Sequence, residues 1–371
     1  MVALIKSNFE VVYEQPIIIK SGIPVDGYNF LRAFINLKLL PENLRFESAG
    51  IFDSQSLRPK GKLWKYQRRI WLPSKSENTV CFYQQIPPKP IFGNSGKSRV
   101  KNIYRVHDFF PKTRPELYTR KQRIDFRRRI LSLQNVDYLI FNSLETQKEY
   151  DDLFQLENVP YTVVECLTPS FAYNWLDFSS TKEDCCKRLE QLEPGFILAI
   201  SPLIKRKRTL QLVEFWLNQL KVYGIRLVLV SSEIPGNSNH EDRLILKRIE
   251  QHNNELTILS NLCSQCVAML YLNARGFISN SAAEGFNMPL KDARFFQLPV
   301  LAPIPMESTS RRNEDNGGLF SNKQLGVFVK DVLDKNNNSY STLDNVLRQR
   351  TVSQVSFFEK EVHRIVESLV N

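Results

Sequence analysis

No stretch of this 371-residue chain approaches the roughly 18 consecutive apolar residues that a membrane-spanning helix needs. The opening Met1-Val-Ala-Leu-Ile-Lys6 lacks the pattern of a secretory signal, so a soluble, cytoplasmic protein is expected. Cysteine is scarce. Six residues are too few to staple a chain of this length and fit reduced thiols better than a disulfide framework. Cys263-Ser-Gln-Cys266 has the spacing of half a zinc site, but no second Cys or His pair lies nearby at finger spacing, so no metal is expected. No nucleic-acid recognition motif is visible.

With 42% hydrophobic residues the chain can bury two ordinary cores. Its formal net charge of +11 is unevenly spread. Residues 1–150 hold 26 Lys and Arg against 13 Asp and Glu, whereas the remainder holds 24 against 26. The surplus belongs to the first half and implies an anionic partner: nucleic acid, an anionic membrane surface or a phosphorylated substrate. Residues 60–71 interleave Lys and Arg with Trp64, Tyr66 and Trp71. That pattern reads either as a solvated helix face with buried aromatics or as an interfacial patch meeting lipid headgroups. A second basic run, Arg127-Arg-Arg129, falls on a predicted helix over 118–133.

Short apolar runs alternate with helical periodicity in both halves, the rhythm of parallel α/β structure. Strands are predicted at 9–13, 49–52, 80–83, 102–106, 137–143 and 163–166. After a stretch without clear period, 167–193, they resume at 196–200, 226–230, 256–259, 276–278 and 298–302. A loop over 21–28, holding Gly22 and Gly27, precedes a predicted helix over 29–38; such a layout lets backbone N–H groups approach a phosphate, although glycines at this spacing also make an ordinary turn. His107 stands just past the carboxyl end of a predicted parallel strand, where open α/β sheets bind ligands. Ser201-Pro-Leu-Ile-Lys-Arg-Lys-Arg208 is a basic loop after another strand. Residues 311–318 are polar and expected to be mobile, and an amphipathic helix is predicted over 352–370.

Between the last two strands lies Ser279-Asn-Ser-Ala-Ala-Glu-Gly-Phe-Asn-Met-Pro-Leu-Lys-Asp292. A helix is predicted to start near Pro289, because proline suits a first helical turn. The N–H groups of that turn and the helix dipole make an anion seat. Glu284 precedes the helix and Asp292 lies one turn inside it, a spacing that lets both carboxyls look into the pocket. An anion seat flanked by two carboxylates suits a phosphorylated sugar.

Glu284-Gly-Phe-Asn-Met-Pro-Leu-Lys-Asp-Ala293, followed by Leu298-Pro-Val300, resembles the Glu-x7-Glu signature of the large family of retaining glycosyltransferases with the GT-B fold. That signature usually reads E-G-F-G-L-P-x-x-E-A, then G-x-P-V. Here Asn287 replaces a glycine, Asp292 replaces the second glutamate, and Leu298 stands where a glycine is common. Tyr104-Arg-Val-His-Asp-Phe-Phe-Pro111 resembles the family's V-H-D-x-x-P segment, and the loop after Ile200 resembles its strand followed by x-x-R-K-N.

The resemblance implies an α/β, GT-B architecture: two Rossmann-like, doubly wound domains facing across a cleft. Residues 1–170 would form the acceptor domain, with 352–371 packing back on it; 171–193 would link it to a nucleotide-sugar domain, 194–351. The implied reaction moves a hexose from a nucleotide-diphosphate sugar, GDP-mannose by preference, to a hydroxyl of a glycan or lipid-linked acceptor. It proceeds with retention, without metal or cofactor, in surface-polysaccharide synthesis, with the protein peripheral at the inner membrane face. The catalytic set would be His107, Lys207 and Glu284. Donor contacts would come from Gly22, Gly27, Ser201, Arg206, Lys207, Glu284, Gly285, Phe286, Asn287, Met288, Pro289 and Asp292, with Lys207 and either Arg206 or Lys205 on the diphosphate, Glu284 on sugar hydroxyls and Asp292 on the ribose. The alternatives are a non-catalytic GT-B-like subunit and, from the basic half, a nucleic-acid binder.

Overall fold

The computed structural model describes residues 9–14, 22–37, 45–46, 78–83, 86, 99–154, 159–176, 189, 192–231, 240–251, 254–260, 262–303, 320–334 and 340–370. The expected strand at 49–52, the aromatic-basic segment 60–71 and the polar stretch 311–318 lie outside them. The chain divides into two compact units, Met1–Glu165 with Phe357–Asn371, and Cys166–Ser356. Among the described residues no helix is long and apolar enough to cross a membrane.

The first unit holds six strands: β1 (Phe9–Glu14), β2 (Arg45–Phe46), β3 (Asn78–Tyr83), β4 (Arg99–Val106), β5 (Tyr138–Phe141) and β6 (Tyr161–Val163). They pair throughout in parallel, in the order β2-β1-β3-β4-β5-β6. Its helices are α1 (Gly22–Asn36), α2 (Phe110–Thr113), α3 (Arg120–Leu131) and α4 (Leu144–Phe154). Leu139, Ile140 and Phe141 are all buried, as strands covered on both faces require. Tyr83, Tyr104, Phe109, Phe141 and Tyr150 make one core; Phe30 packs edge-on to Phe358 of the C-terminal helix at 5.1 Å.

Two expectations change here. The residues read as a glycine loop, from Gly22 on, are the first turns of α1. Pro24 is tolerated there because first-turn N–H groups have no intrahelical partner to lose. The strand expected at 163–166 sits at 161–163, because β5 ends at Phe141, opposite Val163, and leaves nothing for later residues to pair with.

In the second unit β7 (Phe196–Ile200), β8 (Leu227–Val230), β9 (Leu256–Leu259), β10 (Ala274–Ile278) and β11 (Val300–Leu301) form a second parallel sheet, ordered β11-β10-β7-β8-β9. Its helices are α5 (Ala172–Leu176), α6 (Thr209–Phe215), α7 (His240–Gln251), α8 (Ser264–Asn273), α9 (Met288–Phe295) and α10 (Asn322–Asp334); α11 (Tyr340–Val370) contributes to both units. α10 lies tight on β10. A Cβ on Gly276 would stand 2.8 Å from Val332 and 3.1 Å from Phe328, which is why a glycine interrupts this buried strand.

Candidate active site

β7 and β10 are neighbours although β8 and β9 come between them in sequence. The chain therefore leaves their carboxyl ends in opposite directions, at the switch point where open α/β sheets hold ligands. The basic loop follows β7 and the Glu284 loop follows β10, so topology brings together residues 77 or 78 positions apart.

After β7, Ser201 is buried and its hydroxyl lies 2.7 Å from Thr209 Oγ1, which in turn donates to the Pro202 carbonyl at 3.0 Å. These bonds close the loop onto the start of α6. A single 3-10 turn, Lys205–Lys207, ends at Arg208 in the left-handed region (φ 50°). Lys207 is buried inside this turn while Lys205 and Arg208 face outward. The Arg206 carbonyl accepts from Ala282 N–H at 2.8 Å, stitching the two loops by their backbones.

Glu284 takes one cation on each oxygen. Oε2 accepts from Arg206 Nη1 at 2.7 Å, and Oε1 is ion-paired with Lys207 Nζ. Arg206 Nη1 also donates to the Ala283 carbonyl at 2.6 Å. Burial pushes the Glu284 carboxyl up, but Lys207, Arg206 and a bond from Ser281 more than offset it and hold it at about 2. Burial pulls Lys207 below its ordinary value, against the countercharge of Glu284. The trio carries two cationic groups against one carboxylate. It is a local positive site largely shielded from solvent, suited to an anion.

Asn287 is the residue before α9 and has φ 54°, ψ 60°. Here the family signature writes glycine, and asparagine is the side chain that best tolerates the left-handed region. Its side chain caps nothing: Asn287 Nδ2, like Asn280 Oδ1, is a buried polar atom with no hydrogen-bond partner among the described residues. Met288 and Pro289 open the helix as expected. The Pro289 carbonyl accepts from Tyr271 Oη at 2.9 Å. Lys291 Nζ stands 5.0 Å from the centre of the Phe286 ring, and Gly285 is the one residue between Glu284 and Phe286.

Asp292 corrects the expectation that both carboxyls look into the pocket. It is only 3% exposed, and both oxygens accept from Ser170, Oδ1 from the backbone N–H at 2.8 Å and Oδ2 from the hydroxyl at 2.6 Å. Burial lifts its carboxyl to about 7, with the two Ser170 bonds opposing. The glycine-like position after α9 is likewise Gln297 and not Leu298. Gln297 has φ 55°, and Leu298 N–H reaches back to the Ala293 carbonyl at 3.0 Å while Gln297 N–H bonds Arg294, a Schellman closure. Leu298 is a core residue.

His107, Gly22 and Gly27 belong to the first unit, and the cluster belongs to the second. His107 follows β4, and its carbonyl accepts from Thr146 Oγ1 at 3.2 Å. Its Nε2 lies 3.9 Å from Asp26 Oδ2. Asp26 itself is fully buried against Arg105, with Nε 2.7 Å and Nη2 3.2 Å from its two oxygens, and Arg105 Nη1 donates to the Val164 and Phe141 carbonyls at 2.6 and 3.0 Å. Asp26, Arg105 and Ser170 were not among the expected site residues. Arg105 carried a signal, since a charge inside a buried-strand run demands a partner; nothing in the sequence points from Asp292 to Ser170.

The whole chain resembles solved structures of glycosyltransferases at low identity. Sucrose-phosphate synthase from Thermosynechococcus elongatus shares 13% identity over 97% of this chain and 98% of that one, with a TM-score of 0.63. A glycosyltransferase from Rickettsia africae ESF-5 shares 12% over 98% and 99%, at 0.61. HepE from Anabaena, in complex with UDP and glucose, shares 12% over 97% and 99%, at 0.58. The likeness establishes the fold: two Rossmann-like α/β domains of GT-B type. No family model matches the chain, and no curated protein matches it in sequence.

Proposed function

We propose that the protein transfers a sugar from a nucleotide-diphosphate donor to an acceptor hydroxyl. The observation that carries this reading is the Arg206–Lys207–Glu284 cluster at the β7/β10 switch point of a GT-B fold. A diphosphate would take over Arg206 and Lys207, whose fixed charges oppose the negative charge growing on the leaving group. Glu284, relieved of its cations, would accept hydrogen bonds from sugar hydroxyls. The orphan Asn287 Nδ2 at the start of α9 is a ready donor for a phosphate or sugar oxygen. His107 is assigned to the sugar or the acceptor pocket by resemblance, as are retention and independence of metal.

GDP-mannose is the donor that the resemblance suggests, and UDP is a ligand of HepE. A thermal-shift panel of GDP, UDP, ADP and their sugars decides between them, since a ligand at about a hundred times its Kd adds about 2.7 kcal/mol. Nucleotide release with a glycan or lipid-linked acceptor then tests transfer. No shift with any nucleotide would overturn the proposal.

One observation favours a second reading, a non-catalytic GT-B-like subunit that binds a partner or glycan. Asp292, which the resemblance assigns to the ribose, is consumed by Ser170. Glycan binding without nucleotide release is its signature.

A further inference from the structure

Glu149 lies midway along α4 and is 9% exposed, a place a carboxyl keeps only with partners. Those partners belong to the segment that carries His107. The Phe109 N–H and the Thr113 side chain donate to it, and Asp108 and Arg114 are the charged groups that face it. One helical turn earlier, Thr146 donates to the His107 carbonyl at 3.2 Å. The Phe109 ring packs on Tyr150 and Phe154 of the same helix, with centroids 6.1 and 5.2 Å away. The residues just past the carboxyl end of β4 are thus fastened to α4 by a carbonyl, by rings and by one ionisable group. Glu149 Oε1 is a buried atom with no hydrogen-bond partner among the described residues. Burial, and then Asp108, lift the carboxyl to about 7, against the bonds from Phe109 and Thr113 and the charge of Arg114.

We propose that Glu149 is a positioning residue for His107 and Asp108, and that its protonated form holds the segment in the arrangement described. The proposal rests on the reading of the β4 end as part of a sugar-transfer site. A neutral carboxyl still accepts from the Phe109 N–H, and its unpaired Oε1 costs less than half of a buried anion does. Ionisation sets a second negative charge beside Asp108 in a place shielded from water. Arg114 cannot neutralise both, because its Nε is already paired with Glu116 at 2.8 Å. The charged form therefore pushes the Asp108 side of the segment away from α4, and His107 moves with it. Since the two forms exchange population close to neutral pH, the presentation of His107 becomes pH-dependent without His107 itself having to titrate.

The test follows the Phe109 amide resonance of the isotope-labelled full chain by NMR from about pH 5.5 to about pH 8.5, alongside nucleotide release from the sugar donors over the same range. In wild type the amide is expected to titrate with a midpoint near 7; in Glu149→Gln, which keeps an acceptor oxygen but cannot ionise, it is expected to stay flat. Wild-type turnover is expected to fall roughly fivefold from about pH 7 to about pH 8, the ratio of protonated fractions, and Glu149→Gln to lose that limb. Should Glu149→Gln not fold, Thr113→Val removes one bond to the charged form and is expected to raise the wild-type midpoint. An amide that does not titrate in wild type, titrates equally in Glu149→Gln, or keeps its midpoint in Thr113→Val overturns the proposal; so does a turnover profile unchanged in folded Glu149→Gln. If no donor is turned over by wild type, the transferase reading fails by itself, and the amide titration still decides whether Glu149 holds the segment.

Discussion

Ser170 satisfies both oxygens of Asp292, its N–H at 2.8 Å and its hydroxyl at 2.6 Å, across 122 residues of sequence. The segment after β6 is thereby pinned to the inner face of α9, and the carboxylate that the family signature would leave open is closed by the chain itself. A ligand that uses Asp292 must reach a carboxylate that is 3% exposed and already accepts two bonds from Ser170.

Removing the Ser170 hydroxyl has a pH-dependent cost. The folded value of Asp292 is raised to about 7 from an ordinary 3.8, so its contribution is fully present below 3.8 and is lost as pH rises through 7. The hydroxyl favours the charged form, so Ser170→Ala raises the value further and costs most where the carboxyl ionises. Chemical denaturation should show a loss on the order of 1.5–3 kcal/mol at about pH 8 and less at about pH 6. A loss independent of pH would separate Ser170 from the ionisation of Asp292.

Glu284 has the opposite sign. Held at about 2 against an ordinary 4.5, it contributes stability that is present above 4.5 and fades as pH falls toward 2. Glu284→Gln leaves buried Lys207 without its countercharge, which costs on the order of 3 kcal/mol near neutral pH. The gap from wild type should narrow below pH 4.5. Turnover of the folded variant should drop at least tenfold, from the loss of a charge-assisted bond worth roughly 1.5–3 kcal/mol. Wild-type turnover in the folded variant would remove Glu284 from the site.

Lys207→Ala should reduce nucleotide affinity more than Lys205→Ala. Lys207 is buried against Glu284, whereas Lys205 is exposed on the same turn. Equal, small losses by calorimetric titration would make the loop an ordinary solvated basic turn.

Glycine placement tests the corrected reading of the end of α9. Gln297→Gly should stabilise the protein by about 1 kcal/mol, because it removes a side chain from a left-handed position. Leu298→Gly should destabilise by more than about 2 kcal/mol, because it empties a buried site. The opposite ranking would restore Leu298 as the glycine-like position.

The parallel rhythm was legible because buried strands such as Phe196–Ile200 are unbroken apolar runs, and the loops between them carry the charge. The two motif loops were each legible for the same reason, as short local patterns, although 77 or 78 residues separate Glu284 from the basic turn. What escaped the sequence was pairing at long range. The helix starting at Gly22 looked like a loop because glycine and proline dominate its first turns, and what steadies it is Arg105, 79 residues away from Asp26. Ser170 is an ordinary serine until the fold sets it against Asp292. Single side chains whose partners lie in another element leave no local pattern to read.

Part of the positive surplus of the first half lies on α3, and its meeting an anionic membrane is a prediction to test. Arg120, Ile124, Arg127 and Leu131 lie along one face of α3 at helical spacing, and no residue of the helix is buried. Ile124 is 40% and Leu131 65% exposed, flanked by exposed Lys121, Arg123 and Arg128. Cations with exposed apolar residues among them are what a headgroup layer accepts. Arg129 does not join them, since its Nη1 donates to the Ile86 carbonyl at 2.8 Å. Each engaged cation contributes roughly 1 kcal/mol near an anionic leaflet, so three or four give reversible binding without an anchor. The protein is therefore expected to sediment with vesicles containing anionic lipid and to be released as salt rises. Reversing charge at Arg127 and Arg128 should weaken sedimentation and leave nucleotide binding unchanged, because the Arg206–Lys207 cluster belongs to the other unit. If the wild type ignores anionic vesicles at low salt, the surface serves another purpose and a soluble acceptor replaces a lipid-linked one.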